Sequence, residues 1–319
     1  MIEGVRVITL EEHFATPDFS RGEGGAFRPE FAEQVASRIA DVESHRLPEM
    51  DRFGVDVQVL SLTTPGVQGV REPDEAVASA RRSNDDIADV IRRHPDRFAG
   101  LAAIPTQDVS ASVDELRRSV LDLGLRGVML NGQTNGRYLD DPEFEPLWDE
   151  IDRLGVPVYL HPAFPATAWS TLRGHDDLAG PVWGWGFETA SQVLRLIASG
   201  TLDRHPTASI IVGHMGEGLP FALDRIDDRW AILQHDVVLE LAPSEYVKRN
   251  VFITTAGVEA SAPLQCAQEV LGIERMMFSV DYPYQSMESA TRFLRSADLS
   301  PEERRLLSGE TARRVLQLS

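Results

Sequence analysis

Gly127-Val-Met-Leu-Asn131, Glu143-Phe-Glu-Pro-Leu-Trp-Asp-Glu-Ile-Asp-Arg-Leu154 and Val156-Pro-Val-Tyr-Leu-His161 follow one another as an apolar run, a stretch of helical period closed by Gly155, and a second apolar run. This order predicts strand, helix and parallel strand, because β-branched runs suit a pleated surface and a parallel return needs a crossover. The same alternation extends in both directions. Strands are predicted over Val5–Leu10, Asp56–Leu62, Phe98–Ile104, Gly127–Asn131, Val156–His161, Ser209–His214, Val251–Thr254 and Arg275–Asp281. Helices are predicted over Pro73–Arg93, Ser110–Leu123, Glu143–Leu154, Phe187–Ser199 and Pro263–Leu271, several opened by Asp, Ser or Pro and closed by Gly. Eight such repeats close into a (β/α)8 TIM barrel of the α/β class, with a last helix over Pro301–Leu318 completing the outer ring.

At 319 residues the chain could hold two average domains or one barrel. No Gly/Ser linker or shift in composition divides it, so residues 1–319 read as a single domain. Two connections are long: Phe14 to Pro48 after strand one, and Pro162 to Trp185 after strand five. Both follow carboxyl ends of strands, the face where barrel active sites lie, and such connections tend to act as lids or binding loops.

With 42% hydrophobic and 25% charged residues, the chain can build a sizeable core without staples. A net charge of -19 argues against nucleic acid and against an anionic membrane surface, which leaves a small molecule as the expected partner. Cys266 is the only cysteine, so no intrachain disulfide forms and no oxidising compartment is needed. The N-terminus, Met1-Ile-Glu-Gly-Val-Arg-Val-Ile-Thr-Leu-Glu-Glu-His13, lacks a basic region followed by an apolar stretch. Together with the lack of any apolar run of about 18 residues, this predicts a cytoplasmic address.

Polar residues gather at strand ends. Strand one ends in Glu11-Glu12-His13, strand five in His161, strand six in His214 and strand eight in Asp281. Strand residues two apart share a face, so Glu11 and His13 can both face the barrel interior while Glu12 faces away. Carboxylate oxygens and imidazole nitrogens suit a divalent metal in an open, catalytic site, and the lack of thiols speaks against iron–sulfur or structural zinc ligation. His214 could serve as a ligand or as a general acid/base, and Glu217 could orient it or cap the next helix. Asp281 could bind metal and also handle a proton. Trp183, Trp185 and Phe187 could wall an aromatic pocket or simply pack. His45, His94, His175, His205 and His235 lie in polar loops or at helix ends and are given no chemistry.

Taken together, Leu10-Glu-Glu-His-Phe-Ala15, Leu60-Ser-Leu62, Asn131-Gly132, Tyr159-Leu-His-Pro162, Glu188-Thr-Ala190, Gly213-His-Met-Gly-Glu-Gly-Leu-Pro220 and Phe278-Ser-Val-Asp-Tyr-Pro283 carry a resemblance that spans nearly the whole chain. The chain resembles the amidohydrolase-related decarboxylases acting on ortho-hydroxybenzoates: 2,3-dihydroxybenzoate, 2,6-dihydroxybenzoate and salicylate decarboxylases. The resemblance implies a single metal held by Glu11, His13, His161 and Asp281, and the two histidines among these donors favour Zn²⁺ or Mn²⁺, with Mg²⁺ also compatible. It further implies His214 and Glu217 beside the metal, Asn131 and Arg225 near the substrate, no organic cofactor, and a homodimer or homotetramer. Hydrolytic relatives often open with His-x-His, so Glu11 in the first position points to the decarboxylase branch. Strand four ends at Asn131 and the only lysine, Lys248, precedes strand seven, which excludes a metal pair bridged by a carboxylated lysine. Three segments depart from the pattern. The usual Asp-Trp-Pro-Phe-Glu reads Asp281-Tyr-Pro-Tyr-Gln285, His161 is followed by Pro-Ala-Phe-Pro, and the terminal Asn-Ala-Arg-Arg reads Thr311-Ala-Arg-Arg314.

The chemistry expected from these residues is loss of CO₂ after Asp281 or His214 protonates the ring carbon bearing the carboxylate. One rival is a mononuclear metal-dependent hydrolase of an ester, lactone, amide or C–C bond, using the same residues as base. A second is a barrel that binds an aromatic acid without catalysis.

Overall fold

A computed structural model describes residues 4–19 and 27–318. Residues 1–3, part of the N-terminal stretch read above, and residues 20–26, inside the first long connection, lie outside the described residues. The strands are β1 (Ile8–Phe14), β2 (Val57–Leu62), β3 (Phe98–Gly100), β4 (Val128–Asn131), β5 (Val158–His161), β6 (Ile210–Val212), β7 (Val251–Thr254) and β8 (Met276–Met277). They form two parallel sheets, β1-β2-β3 and β4-β5-β6-β7-β8. Single parallel bridges, Ala102 with Val128 and Leu10 with Ser279, join the sheets at both seams and close the ring. The eight-stranded α/β barrel expected from the alternation is therefore present.

Strands β3 and β8 are shorter than predicted because other partners take their amides, Ala103 N donating to Asn84 Oδ1 at 2.9 Å after β3. Phe278 N donates to Leu307 O at 2.9 Å, and Ser279 N donates to the Thr255 hydroxyl at 3.0 Å. Period-2 alternation sorts the apolar residues into two layers. Ile8, Leu10, Val59, Tyr159, Ile211 and Phe252 fill the barrel interior, while Leu60, Val128, Leu130, Val158, Val212 and Ile253 face the surrounding helices.

The last predicted helix is broken. Helix Pro301–Arg305, a π-helical turn Leu306–Glu310 and helix Thr311–Val315 replace one rod. A Cβ on Gly309 would sit 2.1 Å from Arg6 O, so this turn packs directly on the chain start and only glycine fits. Ala312 and Leu316 then plug the amino end of the barrel against its interior side chains.

The connection after β1 contains two helices that the sequence reading leaves as loop, Pro29–Ile39 and Arg46–Phe53. The connection after β5 carries the short turns Ser170–Leu172 and Asp176–Leu178 before helix Gly184–Ala198. Among the described residues, no helix is long and apolar enough to cross a membrane.

Candidate active site

Alternation alone does not aim Glu11 and His13. Thr9 pairs with Gln58 and Glu12 with Leu60, so Leu10 and Glu11 together oppose Val59. Ile8 and Leu10 point into the barrel, and an unbroken strand would send Glu12 inward after them. The bulge resets the parity, with Glu11 in the left-handed region at φ 62°. Glu11 and His13 thereby turn inward, and Glu12 turns toward the helical layer, buried rather than solvated.

At the carboxyl end of the barrel, Glu11, His13 and His161 present ligand atoms that all lie within 4.8 Å of one another. His161 Nε2 stands 3.4 Å from Glu11 Oε1, and His13 Nε2 stands 3.2 Å from Asp281 Oδ1. His214 Nε2 faces both acids, 3.8 Å from Glu11 Oε1 and 3.8 Å from Asp281 Oδ2. Its Nδ1 bonds Glu217 Oε1 at 2.8 Å; a carboxylate only accepts, so Nδ1 carries the proton. Left-handed backbone is concentrated here: His214 (φ 50°), Glu217 (φ 52°) and Asp281 (φ 74°) join Glu11, and strain of this kind persists where surrounding structure imposes it.

These groups open into a cavity of about 260 Å³. Its floor holds His13, His161, His214 and Asp281, and its walls include Phe27, Phe31, Tyr284 and Trp185. Of the residues anticipated near the substrate, Trp185 lines the cavity but Phe187, Asn131 and Arg225 do not. Trp185 and Phe187 lie on one helix, where residues two apart point to different sides. Phe187 is 54% exposed and packs edge-on against Trp169. Asn131 is buried at the end of β4, where Gln68 bonds both its backbone N and O. Arg225 lies on the exposed side of helix Leu219–Trp230, whose Leu219 and Leu223 face inward.

Comparison with known proteins gives the family. Residues 15–318 match the amidohydrolase family. The chain belongs to the amidohydrolases. It is 37% identical over 320 residues to the γ-resorcylate decarboxylase of Rhizobium sp. (strain MTP-10005), covering 98% of both chains. The structure of 2,6-dihydroxybenzoate decarboxylase from Rhizobium superposes with a TM-score of 0.93 at 36% identity, over 98% of this chain and 99% of that one. A dihydroxybenzoic acid decarboxylase from Polaromonas sp. JS666, with bound manganese and the inhibitor 2-nitroresorcinol, gives 0.93 at 35% identity over 98% and 97%.

The electrostatics of this amidohydrolase's cluster suit a cation. Burial pushes the Glu11 carboxyl up to about 7, with Asp281 adding to the rise, against lowering by His214, His13 and Tyr159. Burial also acts upward on Asp281, yet hydrogen bonds and charge from His13 and His214 outweigh it and hold it at about 2. Burial and the neighbouring His13 push His161 well below the usual imidazole value. Burial disfavours the His214 cation, but Glu11, Glu217 and Asp281 overcome this and raise it well above that value. Glu11 and Asp281 meet here beside the neutral His161 imidazole, an arrangement that favours further positive charge beyond the His214 cation.

The donor set passes four further tests as a site for a divalent ion. Glu11 Oε1 is buried without a hydrogen-bond partner. His161 Nδ1 lies 2.8 Å from Pro162 O; the carbonyl only accepts, so Nδ1 carries the proton and Nε2 keeps its lone pair for a metal. The other Glu11 oxygen is held by the Tyr159 hydroxyl, which accepts in turn from Thr254 Oγ1 at 3.2 Å. A Cβ on Gly213 would lie 2.5 Å from Glu11 Oε2, so this position admits no side chain.

Tyr159 was readable in principle, since it precedes His161 by two on the same strand face. Thr64, Tyr284 and Gln285 also line the cavity and were not assigned to it, because nothing local in their sequence marks a pocket residue.

Proposed function

We propose that the chain is a metal-dependent, non-oxidative decarboxylase of an ortho-hydroxylated benzoic acid, with 2,6-dihydroxybenzoate as the substrate of first choice. The observation that carries this reading is the cluster of buried Glu11, His13 and His161 with the part-buried Asp281, opening on an aromatic-walled cavity of about 260 Å³. Such a cavity suits a single-ring acid. Those four residues would hold one divalent ion, Mn²⁺ before Zn²⁺ or Mg²⁺ because the Polaromonas relative carries manganese. When bound, the ion supplies a Lewis acid for the carboxylate and the ortho oxygen.

The chain's own residues do the rest. Phe27, Tyr284 and Trp185 wall the ring and keep water from it. Glu217 fixes the His214 ring and stabilises its cation, leaving Nε2–H directed at Asp281 and the cavity floor. His214 delivers a proton to the carbon bearing the carboxylate, directly or through Asp281. The C–C bond then breaks, its electron pair restores the aromatic ring, and CO₂ leaves. A positioned acid of this kind is worth roughly 10²–10⁴-fold.

A homodimer or homotetramer is part of this reading. Val182, Trp183, Phe187, Phe221, Ile232 and Val238 are large apolar side chains left exposed, as at interfaces between subunits. Light scattering on the purified protein reads the mass directly, and a monomer would contradict this part.

The function itself is tested by CO₂ release from 2,6-dihydroxybenzoate, 2,3-dihydroxybenzoate, salicylate and 5-carboxyvanillate with manganese-loaded protein. Turnover on at least one acid is expected. Failure on all four with metal bound would move the mononuclear hydrolase into first place.

A further inference from the structure

The short segment that carries Asp281 is gripped from both sides by β1. Val280 N donates to Glu12 Oε1 at 3.0 Å, and His13 N donates to Tyr282 O at 2.8 Å. The second Glu12 oxygen accepts from Gln58 Nε2 at 3.0 Å, and Gln58 Oε1 accepts from Arg46 Nη1 at 3.1 Å. Arg46 Nη2 donates to His13 O, and its guanidinium stacks 4.4 Å from the centre of the Tyr282 ring. Glu12, Gln58 and Arg46 are all fully buried, and none lines the cavity. Burying an acid and a guanidinium in this way is costly, burial pushing the Glu12 carboxyl up to about 8, and well-packed apolar residues often give equal or better stability. What the chain of bonds does achieve is geometric: it ties His13, Val280 and Tyr282 into one unit around Asp281.

We propose that Glu12, Gln58 and Arg46 form a positioning element that holds His13 and Asp281 at the spacing needed to bind metal. This rests on the reading of the cluster as a metal centre. Glu12 also accounts for the use of the bulge in β1. The same irregularity that turns Glu11 inward sends Glu12 outward, where it reaches the amide of Val280 across the β1–β8 seam. Partners that orient metal ligands typically change metal affinity about 10–100-fold when removed.

The test titrates metal-free protein with Mn²⁺ against a competing chelator and records the thermal midpoint of each variant. Glu12→Ala is expected to weaken Mn²⁺ binding by about 10–100-fold. Glu12→Gln keeps an acceptor for Val280 N and is expected to recover most of that loss. Glu115→Gln alters a buried acid bonded to Asn84 and Arg118, away from the cavity, and should lower thermal stability without weakening the metal. Arg46→Met serves if Glu12→Ala does not fold, with weakened Mn²⁺ binding again expected. Unchanged Mn²⁺ affinity in Glu12→Ala or Arg46→Met would overturn the proposal, as would equal weakening by Glu115→Gln. Wild-type protein that binds neither Mn²⁺ nor Zn²⁺ would instead overturn the metal reading beneath it.

Discussion

The two ends of this barrel are built to opposite rules. At the amino end, Ala312 and Leu316 close the interior against Ile8, Val57 and their neighbours, and the contacts are apolar. At the carboxyl end, Glu11, His13, His161, His214 and Asp281 crowd together, and five left-handed residues (Glu11, His214, Met215, Glu217 and Asp281) lie within or beside the cluster. Among the described non-glycine residues, the amino end has Gln317 alone in that conformation. One end maximises burial; the other spends conformational strain and desolvation on placing charge. A substitution at the amino end should therefore cost stability, and one at the carboxyl end should cost chemistry.

The largest expected effect is at the carboxyl end. Asp281→Asn removes a charge that faces His13 and His214, and kcat should fall by roughly 10²–10⁴-fold while circular dichroism stays native. An unfolded variant would erase the contrast. Next is Gly213→Ala, whose added methyl must displace the Glu11 carboxylate, its built Cβ lying 2.5 Å from Oε2. Chelator competition should read a loss of metal affinity of about 10–100-fold, with little change in thermal midpoint.

Leu316→Ala turns the comparison round. Leu316 is 1% exposed, so truncation should lower unfolding free energy by about 2–5 kcal/mol in denaturant titrations and leave kcat intact. A loss of kcat on folded protein would show that the two ends are coupled. The smallest effect separates two neighbours. Trp185→Ala should raise KM severalfold, because Trp185 lines the cavity, whereas Phe187→Ala, on the far side of the helix, should change KM less than twofold.

The sequence shows the barrel more readily than the details of its rim. Helix Pro73–Arg93 and strand Val251–Thr254 match their predicted bounds, because a long amphipathic period and a short apolar run between turns are local signals. Helix Arg46–Phe53 stays hidden because Pro48 reads as a breaker, although proline is tolerated in a first helical turn. Glu11, His13, His161 and Asp281 stand out as polar residues at strand ends, but the bulge that aims the first two has no signature in residue type. Arg225 and Phe187 missed the cavity for a different reason. A helix places residues by 100° steps, so an offset of a single residue decides which side faces the site. The role of Glu12 depends on Val280 and Arg46, which are remote in sequence and meet it only in three dimensions.

The central claim is that the strained carboxyl end protonates a ring carbon and releases CO₂ with a divalent ion in place. Manganese-loaded protein supplied with 2,6-dihydroxybenzoate in D₂O tests it most directly, with the product followed by NMR. CO₂ and a phenol carrying one deuterium at the carbon that bore the carboxylate are expected, both lost on metal removal. Unchanged acid in the presence of bound manganese, or turnover that persists after the metal is stripped, would contradict it.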